Sequence, residues 1–103
     1  MDAQTTFTTE RAARYLASLC KHFGHKVPVQ YDAQTGWIDL PLGRCELNAD
    51  PSLLRLKVSA DSRSDLDTGI RVITSHLERF AFREHPDLDW TMSEDAAKPI
   101  GAS

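Results

Sequence analysis

The sequence predicts an α+β domain, a two-layer sandwich in which an antiparallel sheet of four to five strands carries two helices on one face. Apolar residues recur at helical spacing near residues 9–23 and 64–83. Between these two stretches, residues 26–60 alternate apolar and polar residues and are interrupted by turn residues. Because each helix is apolar along one side and each strand buries one face, the simplest arrangement packs both helices on the same face of one sheet.

The first helix is expected to begin at Thr8 or Thr9, since either hydroxyl can cap it, and Glu10 would interact favourably with the helix dipole. Gly24 follows the last apolar residue and suits the left-handed position that ends many helices. This pattern predicts an amphipathic helix with its apolar stripe toward the sheet. The stripe consists of Ala12, Leu16, Leu19, Cys20 and Phe23.

Four strand candidates follow the first helix. Pro28 interrupts the first of them, and because proline cannot donate a hydrogen bond, that strand is expected at a sheet edge. The fourth has the clearest alternation and is expected to be half-buried. The segment before the first helix, residues 5–8, has strand propensity but is very short. The four candidates cover residues 27–31, 37–40, 44–49 and 54–60.

Ser64 is expected to cap the second helix, with Asp65 and Asp67 in its first turn. The helix is expected to end before Pro86, because proline cannot continue it. Its apolar residues follow intervals of four and three, which predicts one buried side. They are Leu66, Ile70, Ile73, Leu77 and Phe80.

The folded domain is expected to cover residues 1–92. Leu88, Trp90 and Met92 alternate with polar residues and predict a last strand. Residues 93–103 are small and polar, which predicts a disordered tail. A chain of 103 residues with 41% hydrophobic residues can bury one modest core.

Composition excludes several classes of function. A formal net charge of −3 provides no global positive field, so a nucleic-acid partner is not expected. No apolar window approaches the eighteen residues of a membrane-spanning helix, and the first residues lack the pattern of a secretory signal. A cytoplasmic location is therefore expected. In that compartment Cys20 and Cys45 are expected to be reduced, buried apolar groups.

A first cluster of potential ligands lies at the C-terminal end of the first predicted helix. Cys20, His22 and His25 lie close together in the sequence, and sulfur and imidazole at such spacing can begin a zinc or iron site. However, no second pair of ligands follows, and His22 lies about 160° around the helix from Cys20. The alternative is a core cysteine with histidines on the surface.

A second cluster of potential ligand-binding residues lies at the C-terminal end of the second predicted helix. His76 and Arg83 are seven residues apart and share one flank, with Arg79 between them; Tyr15 and His22 are also seven apart on the first helix. If the two flanks face each other, they line one groove suited to a carboxylate or phosphate. If they do not, the same charges form an ordinary solvated helix end. The predicted ligand-binding residues are Tyr15, His22, His76, Arg79 and Arg83.

No nucleophile elbow, phosphate loop, dinucleotide fingerprint or HExxH motif is present in the sequence. No catalytic residue is therefore assigned, and a role without catalysis is favoured. No cofactor is predicted, although a metal ion would suit the alternative in which histidines are ligands.

Four segments resemble a family of small bacterial proteins, domain-of-unknown-function family 2218. They are RAARYLASLCKHFGHKVPVQYD, GWIDLPLGRCELNAD, LRLKVSA and HLERFAFRE. The resemblance covers roughly residues 9 to 92 and is most specific at LCKHFGHK and HLERFAFRE, the two clusters described above. It implies no catalytic activity. It does imply an association with siderophore-interacting and iron-uptake proteins, which concerns context and not chemistry.

These observations leave three hypotheses. The first is an accessory module, linked to iron or siderophore handling, that binds a small anionic ligand or a protein partner. The second is a metal sensor or metal-dependent enzyme that uses His22, His25 and His76. The third is a dimerisation or scaffold domain whose histidines are only structural, which would make the protein a homodimer. Metal content separates the second hypothesis from the others, and solution mass separates the third.

Overall fold

The computed structural model describes residues 1–92, so the predicted tail at 93–103 lies outside the described part of the chain. Within residues 1–92 the chain forms two α-helices and one antiparallel sheet of six strands. The α+β class is confirmed, with six strands where four to five were expected. In chain order the elements are β1 (Asp2–Thr8), α1 (Ala12–Phe23), β2 (Val29–Tyr31), β3 (Thr35–Leu40), β4 (Gly43–Ala49), β5 (Leu53–Ala60), α2 (Arg63–Phe80), a 3-10 turn (Phe82–Glu84) and β6 (Thr91–Met92).

The strand order is β2-β3-β4-β5-β1-β6, and every neighbouring pair is antiparallel. The additional strand is β1, which pairs with β5 from Asp2↔Ser59 to Thr8↔Leu53 and therefore lies inside the sheet. Its inward positions are Ala3, Thr5 and Phe7, and all three are buried. Because two of these three are small or polar, the alternation in hydrophobicity is too weak to predict so long a strand.

The apolar side chains of the sheet point to one face. The register aligns Ala3, Val58, Cys45 and Ile38 in one row across four strands, and each of these residues is fully buried. Both helices contact β4 and β5, and they also contact each other. Since the buried row and the helix contacts lie on the same side, both helices pack on one face, as predicted, and no helix or strand of residues 1–92 covers the other face.

Two glycines permit this close packing. A Cβ on Gly69 in α2 would lie 2.9 Å from Cγ1 of Val58 in β5. A Cβ on Gly36 in β3 would lie 3.1 Å from the Cys20 sulfur of α1. Larger residues at these positions would push the helices away from the sheet. The two glycines therefore help to set the height at which the helix flanks emerge.

The ends of α1 differ from the prediction. The helix begins at Ala12, after an N-cap residue, Arg11, that makes no side-chain cap. Thr9 instead accepts a hydrogen bond from the Arg11 backbone N–H, at 3.0 Å, in the turn that follows β1. Gly24 has a right-handed conformation, with φ −62°, so the predicted left-handed end is wrong. The chain continues there as a further turn, in which the Val27 N–H donates to the Phe23 carbonyl.

The start of α2 also shifts. Ser62, rather than Ser64, caps the helix, and its hydroxyl accepts from the Asp65 backbone N–H at 3.1 Å. The helix ends at Phe80, and the 3-10 turn that follows closes at His85 in the left-handed region, with φ 51°. None of the helices described in residues 1–92 is long and apolar enough to span a membrane.

Candidate functional site

The candidate site is the groove between the exposed flanks of α1 and α2, which we call the inter-helix groove. It has a histidine end, near the C-terminus of α1 and the last turns of α2, and an arginine end, near the start of α1 and the 3-10 turn. Its residues are Arg11, Arg14, Tyr15, Ser18, His22, Phe23, His76, Arg79, Phe80, Phe82 and Arg83.

The histidine end is a pair of imidazoles from the two helices. The ring centroids of His22 and His76 lie 4.9 Å apart, with the ring planes at 48°. Phe23 lies 4.8 Å from His76, and Phe80 lies 5.9 Å from His22, so phenyl rings flank the pair. The structure therefore brings together the two histidines that the helical spacing placed on facing flanks.

The tautomer of His76 follows from its hydrogen bond. Its Nδ1 lies 2.7 Å from the Val72 carbonyl oxygen, one turn earlier in α2. Because a carbonyl can only accept, Nδ1 must carry the hydrogen. In the neutral ring, Nε2 then holds the lone pair, while in the protonated ring both nitrogens donate. His76 is thus oriented by its own helix.

The environment of His22 is cationic. Loss of solvation lowers the pKa of His22 below its ordinary value, and the nearby positive charges of His76 and Arg79 lower it further. The more distant charges of His25 and Lys26 act in the same direction. These charges oppose protonation of His22. A bound anion would offset them, so the histidine end favours negative charge.

The arginine end is a small cavity of about 290 Å³. Arg14 and Arg83 line it from the two sides, and the Arg83 guanidinium lies 5.6 Å from the centre of the Phe82 ring. Phe80 lines this cavity and also contacts His22, so the two ends form one continuous groove.

One acidic residue, Glu84, is bonded to two residues that line the arginine end. The Tyr15 hydroxyl donates a hydrogen bond to Glu84 Oε2, and Arg11 Nη1 lies 3.4 Å from the same oxygen. The Tyr15 hydrogen bond is the main reason that the pKa of the Glu84 carboxyl is lowered. Burial, together with that carboxylate, raises the pKa of Tyr15. Glu84 is therefore ionised and already bonded to Tyr15 and Arg11.

The other three arginines of the inter-helix groove have no acidic partner within residues 1–92. Among residues 1–92, Arg14, Arg79 and Arg83 form no ion pair with a carboxylate. Guanidinium groups bind carboxylate and phosphate oxygens through two parallel hydrogen bonds. The groove thus presents unpaired donors of a type that suits an anion.

Each predicted site residue lies at this groove, but they differ in what they offer a ligand. His22, Arg79 and Arg83 are exposed, whereas Tyr15 is buried with its hydroxyl bonded to Glu84. Tyr15 is therefore better described as a wall that positions Glu84 than as a free ligand-binding hydroxyl.

Two contributors were missed from the sequence. Arg14 lies four residues before Ser18, so the same helical spacing that aligned Tyr15 with His22 could have found it. Glu84 is the last residue of the 3-10 turn and reaches Tyr15 across 69 residues of sequence. No local pattern predicts that contact.

The geometry gives less support to the hypothesis that His22, His25 and His76 bind a metal ion. Within residues 1–92, no group of three or more histidine, cysteine, aspartate or glutamate side chains is placed to hold a metal ion. His25 is exposed after the end of α1 and is not part of the stacked histidine pair. Cys20 is fully buried. The predicted set of His22, His25 and His76 is therefore not assembled as three ligands.

A larger concavity, of about 570 Å³, lies on the open face of the sheet, and we call it the open-face groove. One row of its outward side chains crosses five strands in register. That row consists of Gln30, Trp37, Glu46, Lys57 and Gln4.

Comparison with known proteins places the chain near an uncharacterised group. A family model described as an uncharacterised protein conserved in bacteria, domain of unknown function 2218, matches residues 4–91. An NMR structure of PA4090 from Pseudomonas aeruginosa is similar, with 33% sequence identity and a TM-score of 0.75 over 87% of this chain and 94% of that one. No curated protein matches. These similarities support the fold, and any functional argument has to come from the geometry of the groove.

Proposed function

This chain belongs to the bacterial domain-of-unknown-function family 2218, and from that premise we propose that it is a non-enzymatic binding module that holds a small anionic ligand in the inter-helix groove. The observation that carries the proposal is the concentration of cationic donors, with a single acid among them. Arg14, Arg79, Arg83 and the histidine pair border the groove, and Glu84 is bonded to Arg11 and Tyr15.

The local charge opposes the charge of the whole protein. The chain carries a formal net charge of −3, yet four arginines border this groove against Glu84 alone among the acids bonded to its residues. With 12 basic and 15 acidic residues in the chain, a surface of random composition would carry about as many acids as bases. Local positive potential of this kind concentrates anions and raises their rate of association.

The donors suit carboxylate or phosphate groups. Arg83 can present its planar fork to two oxygens at once. His22 gains a positive charge and a second N–H donor when it takes up a proton. Because the pKa of His22 lies below its ordinary value of 6.5, anion binding should strengthen only as the pH falls through that lowered pKa.

The test is a titration followed by NMR amide shifts, with citrate and inorganic phosphate as separate probes. We expect the shifts to cluster on α1 and α2 near the groove. The Arg14→Gln, Arg83→Gln variant should bind citrate at least about tenfold more weakly, because each charge-assisted hydrogen bond contributes about 1.5–3 kcal/mol before solvent screening. The matched control is Arg71→Gln, which removes an exposed arginine of α2 that does not line the arginine cavity.

A second pair of variants tests the histidine end. His22→Ala, His76→Ala should weaken citrate binding, and the weakening relative to the parent chain at the same pH should grow as the pH falls from about 7 to about 5 and His22 takes up a proton. The control is His25→Ala, which removes an exposed histidine outside the pair. Shifts confined to the open-face groove, or unchanged citrate affinity in both double variants with a native spectrum, would contradict the proposal.

A divalent metal ion at His22 and His76 is the second candidate. It is favoured by the hydrogen bond from His76 Nδ1 to the Val72 carbonyl, because metal-bound histidines use such bonds to fix the other nitrogen as a ligand. Solvent or a ligand oxygen would have to complete the coordination. Titration with Zn²⁺, with metal content measured after gel filtration, separates this candidate from the anion proposal. Stoichiometric zinc that His22→Ala removes would favour the metal.

The wider role stays a proposal. An accessory function beside iron or siderophore handling is supported only by the family resemblance, which concerns context. Association with a protein partner or a second copy of the chain is likewise a prediction, and the solution mass measured by light scattering tests self-association.

A further inference from the structure

We infer that the ligand of the inter-helix groove carries two anionic groups, one for each end, joined by an apolar segment. This inference rests on the proposed function and names the class of ligand. It follows from the separation of the cationic groups into two clusters and from the ring that lies between them.

The two clusters are distinct. At the arginine end, Arg14 and Arg83 line the cavity and have no carboxylate partner among residues 1–92. At the histidine end, the rings of His22 and His76 lie 4.9 Å apart, and Arg79 follows His76 by three residues in α2. One carboxylate can satisfy the donors of one cluster, and the second cluster then keeps its unbalanced charge.

The clusters are too far apart to share one small group. Tyr15, at the arginine end, and His22, at the histidine end, are seven residues apart in α1. At 1.5 Å per residue, this corresponds to about 10 Å along the helix axis. A carboxylate or phosphate group is only a few ångströms wide, so it can bind at one end only.

Between the clusters, Phe80 supplies an apolar surface and Ser18 a small hydroxyl. Phe80 lines the arginine cavity and also lies 5.9 Å from His22, with its ring nearly perpendicular to the imidazole. Phe80 is half-buried, so part of its ring remains accessible. Burial of methylene groups against that ring would contribute to binding through the hydrophobic effect. A chain of methylenes between two carboxylates matches this order of cationic, apolar and cationic surfaces.

The experiment compares three probes by calorimetry on the whole chain at pH 6. Suberate has two carboxylates joined by six methylenes, octanoate has the same number of carbons but one carboxylate, and succinate has two carboxylates too close together to span the groove. Suberate should bind at least about tenfold more tightly than either. Because octanoate is the more apolar of the eight-carbon pair, hydrophobic burial alone predicts the opposite order.

Variants at one end should remove this advantage. In His22→Ala, His76→Ala, suberate should bind about as tightly as octanoate, whereas His25→Ala should keep the preference. His22→Gln, His76→Gln provides the same test with larger side chains, in case the alanine variant fails to fold. Octanoate that binds as tightly as suberate, with shifts at the arginine end, would overturn the two-ended ligand and leave the proposed function standing. Failure of every carboxylate and phosphate probe to bind would overturn both.

Discussion

On the open face of the sheet, cations and anions pair with one another, whereas in the inter-helix groove most of the cations have no such partner. Arg44 lies 3.6 Å from Asp39, and Lys57 lies 3.6 Å from Asp2. The Arg44 guanidinium also covers the Trp37 ring, at 4.3 Å from its centre. Each open-face contact is a modest surface interaction, but together they balance the charges of that face internally.

The comparison shows why size does not locate the site in this domain. The open-face groove has about twice the volume of the arginine cavity, about 570 Å³ against about 290 Å³. A two-layer sandwich leaves one sheet face uncovered by construction, so a shallow concavity there requires no functional explanation. The unbalanced charges between the helices do call for one, because the chain has 15 acidic residues, yet within residues 1–92 only Glu84 forms an ion pair with an arginine of the groove.

The largest expected effect is a difference in stability between two adjacent residues of β5 that point to opposite faces of the sheet. Leu56 is 1% exposed and packs under the helices, whereas Lys57 points to the open face. Leu56→Ala should lower the free energy of unfolding by about 2–5 kcal/mol, since it removes buried methylenes and leaves a cavity. Lys57→Ala should lower it by about 1 kcal/mol at most, the range of an exposed ion pair. Urea unfolding measures both, and equal losses would show that the open face is covered by something in solution.

The cysteines test the covered face by reactivity. Cys20 and Cys45 are both fully buried and both reduced. Burial raises the pKa of Cys20 from 9.0 to about 11, and it raises that of Cys45 as well. Since the thiolate is the reactive form, Cys20 should react more slowly than a free thiol, even before access is considered. Labelling with a thiol reagent, with and without denaturant, measures this, and rapid labelling of the native protein would refute it.

Tyr15 tests the closed part of the groove. Tyr15→Phe removes the hydrogen bond to Glu84 and should lower the free energy of unfolding by about 1 kcal/mol at pH 7, because the carboxylate keeps some solvent contact. The pKa of Glu84 is lowered in the fold, so this stability is present above pH 4.5 and is lost as the pH falls through the folded pKa. The difference between the two proteins should therefore shrink in acid.

The control is Tyr31→Phe, which changes a tyrosine that is 41% exposed and should leave stability within about 0.5 kcal/mol. A Tyr15→Phe difference that does not shrink in acid would show that the hydroxyl acts through packing or another partner instead of through the Glu84 carboxylate.

The sequence predicted the regular parts of the molecule because their periodicity is local. The stripes of both helices, the central strands β4 and β5, and the alignment of Tyr15 with His22 all depend on spacing within one element. The facing of His22 and His76 required one more assumption, namely that the two helices share one face of the sheet.

The remaining features depend on contacts between distant segments. β1 is held inside the sheet by β5, and its buried Thr5 donates to the carbonyl of Asp89, 84 residues away. The actual caps also depend on where neighbouring elements end: β1 ends at Thr8, so α1 cannot begin there, and β5 ends at Ala60, which places Ser62 at the cap. Local propensity does not contain this information, so β1 and the cap positions could not be predicted.

The smallest expected effect is the acid sensitivity that His22 gives to the empty groove. The charged groups that lower the pKa of His22 are His76, Arg79, His25 and Lys26, and loss of solvation acts first. An unfolded chain, with His22 near its ordinary pKa of 6.5, binds the proton more readily than the folded chain. Stability should therefore fall as the pH drops below about 6.5, and the full loss is reached below the folded pKa. Because His22 is exposed and solvent screens these charges, a loss of a few tenths of a kcal/mol is expected.

Urea unfolding at pH 7.5 and pH 5 should show this loss in the parent chain and a smaller one in His22→Gln, with His25→Gln close to the parent. A parent chain that gains stability relative to His22→Gln in acid would mean that His22 has an anionic partner within the fold, and the groove would then lack the unbalanced charge on which anion binding depends. Citrate provides the converse measurement: if it binds at the histidine end, it should offset the repulsion and remove the extra acid sensitivity of the parent chain.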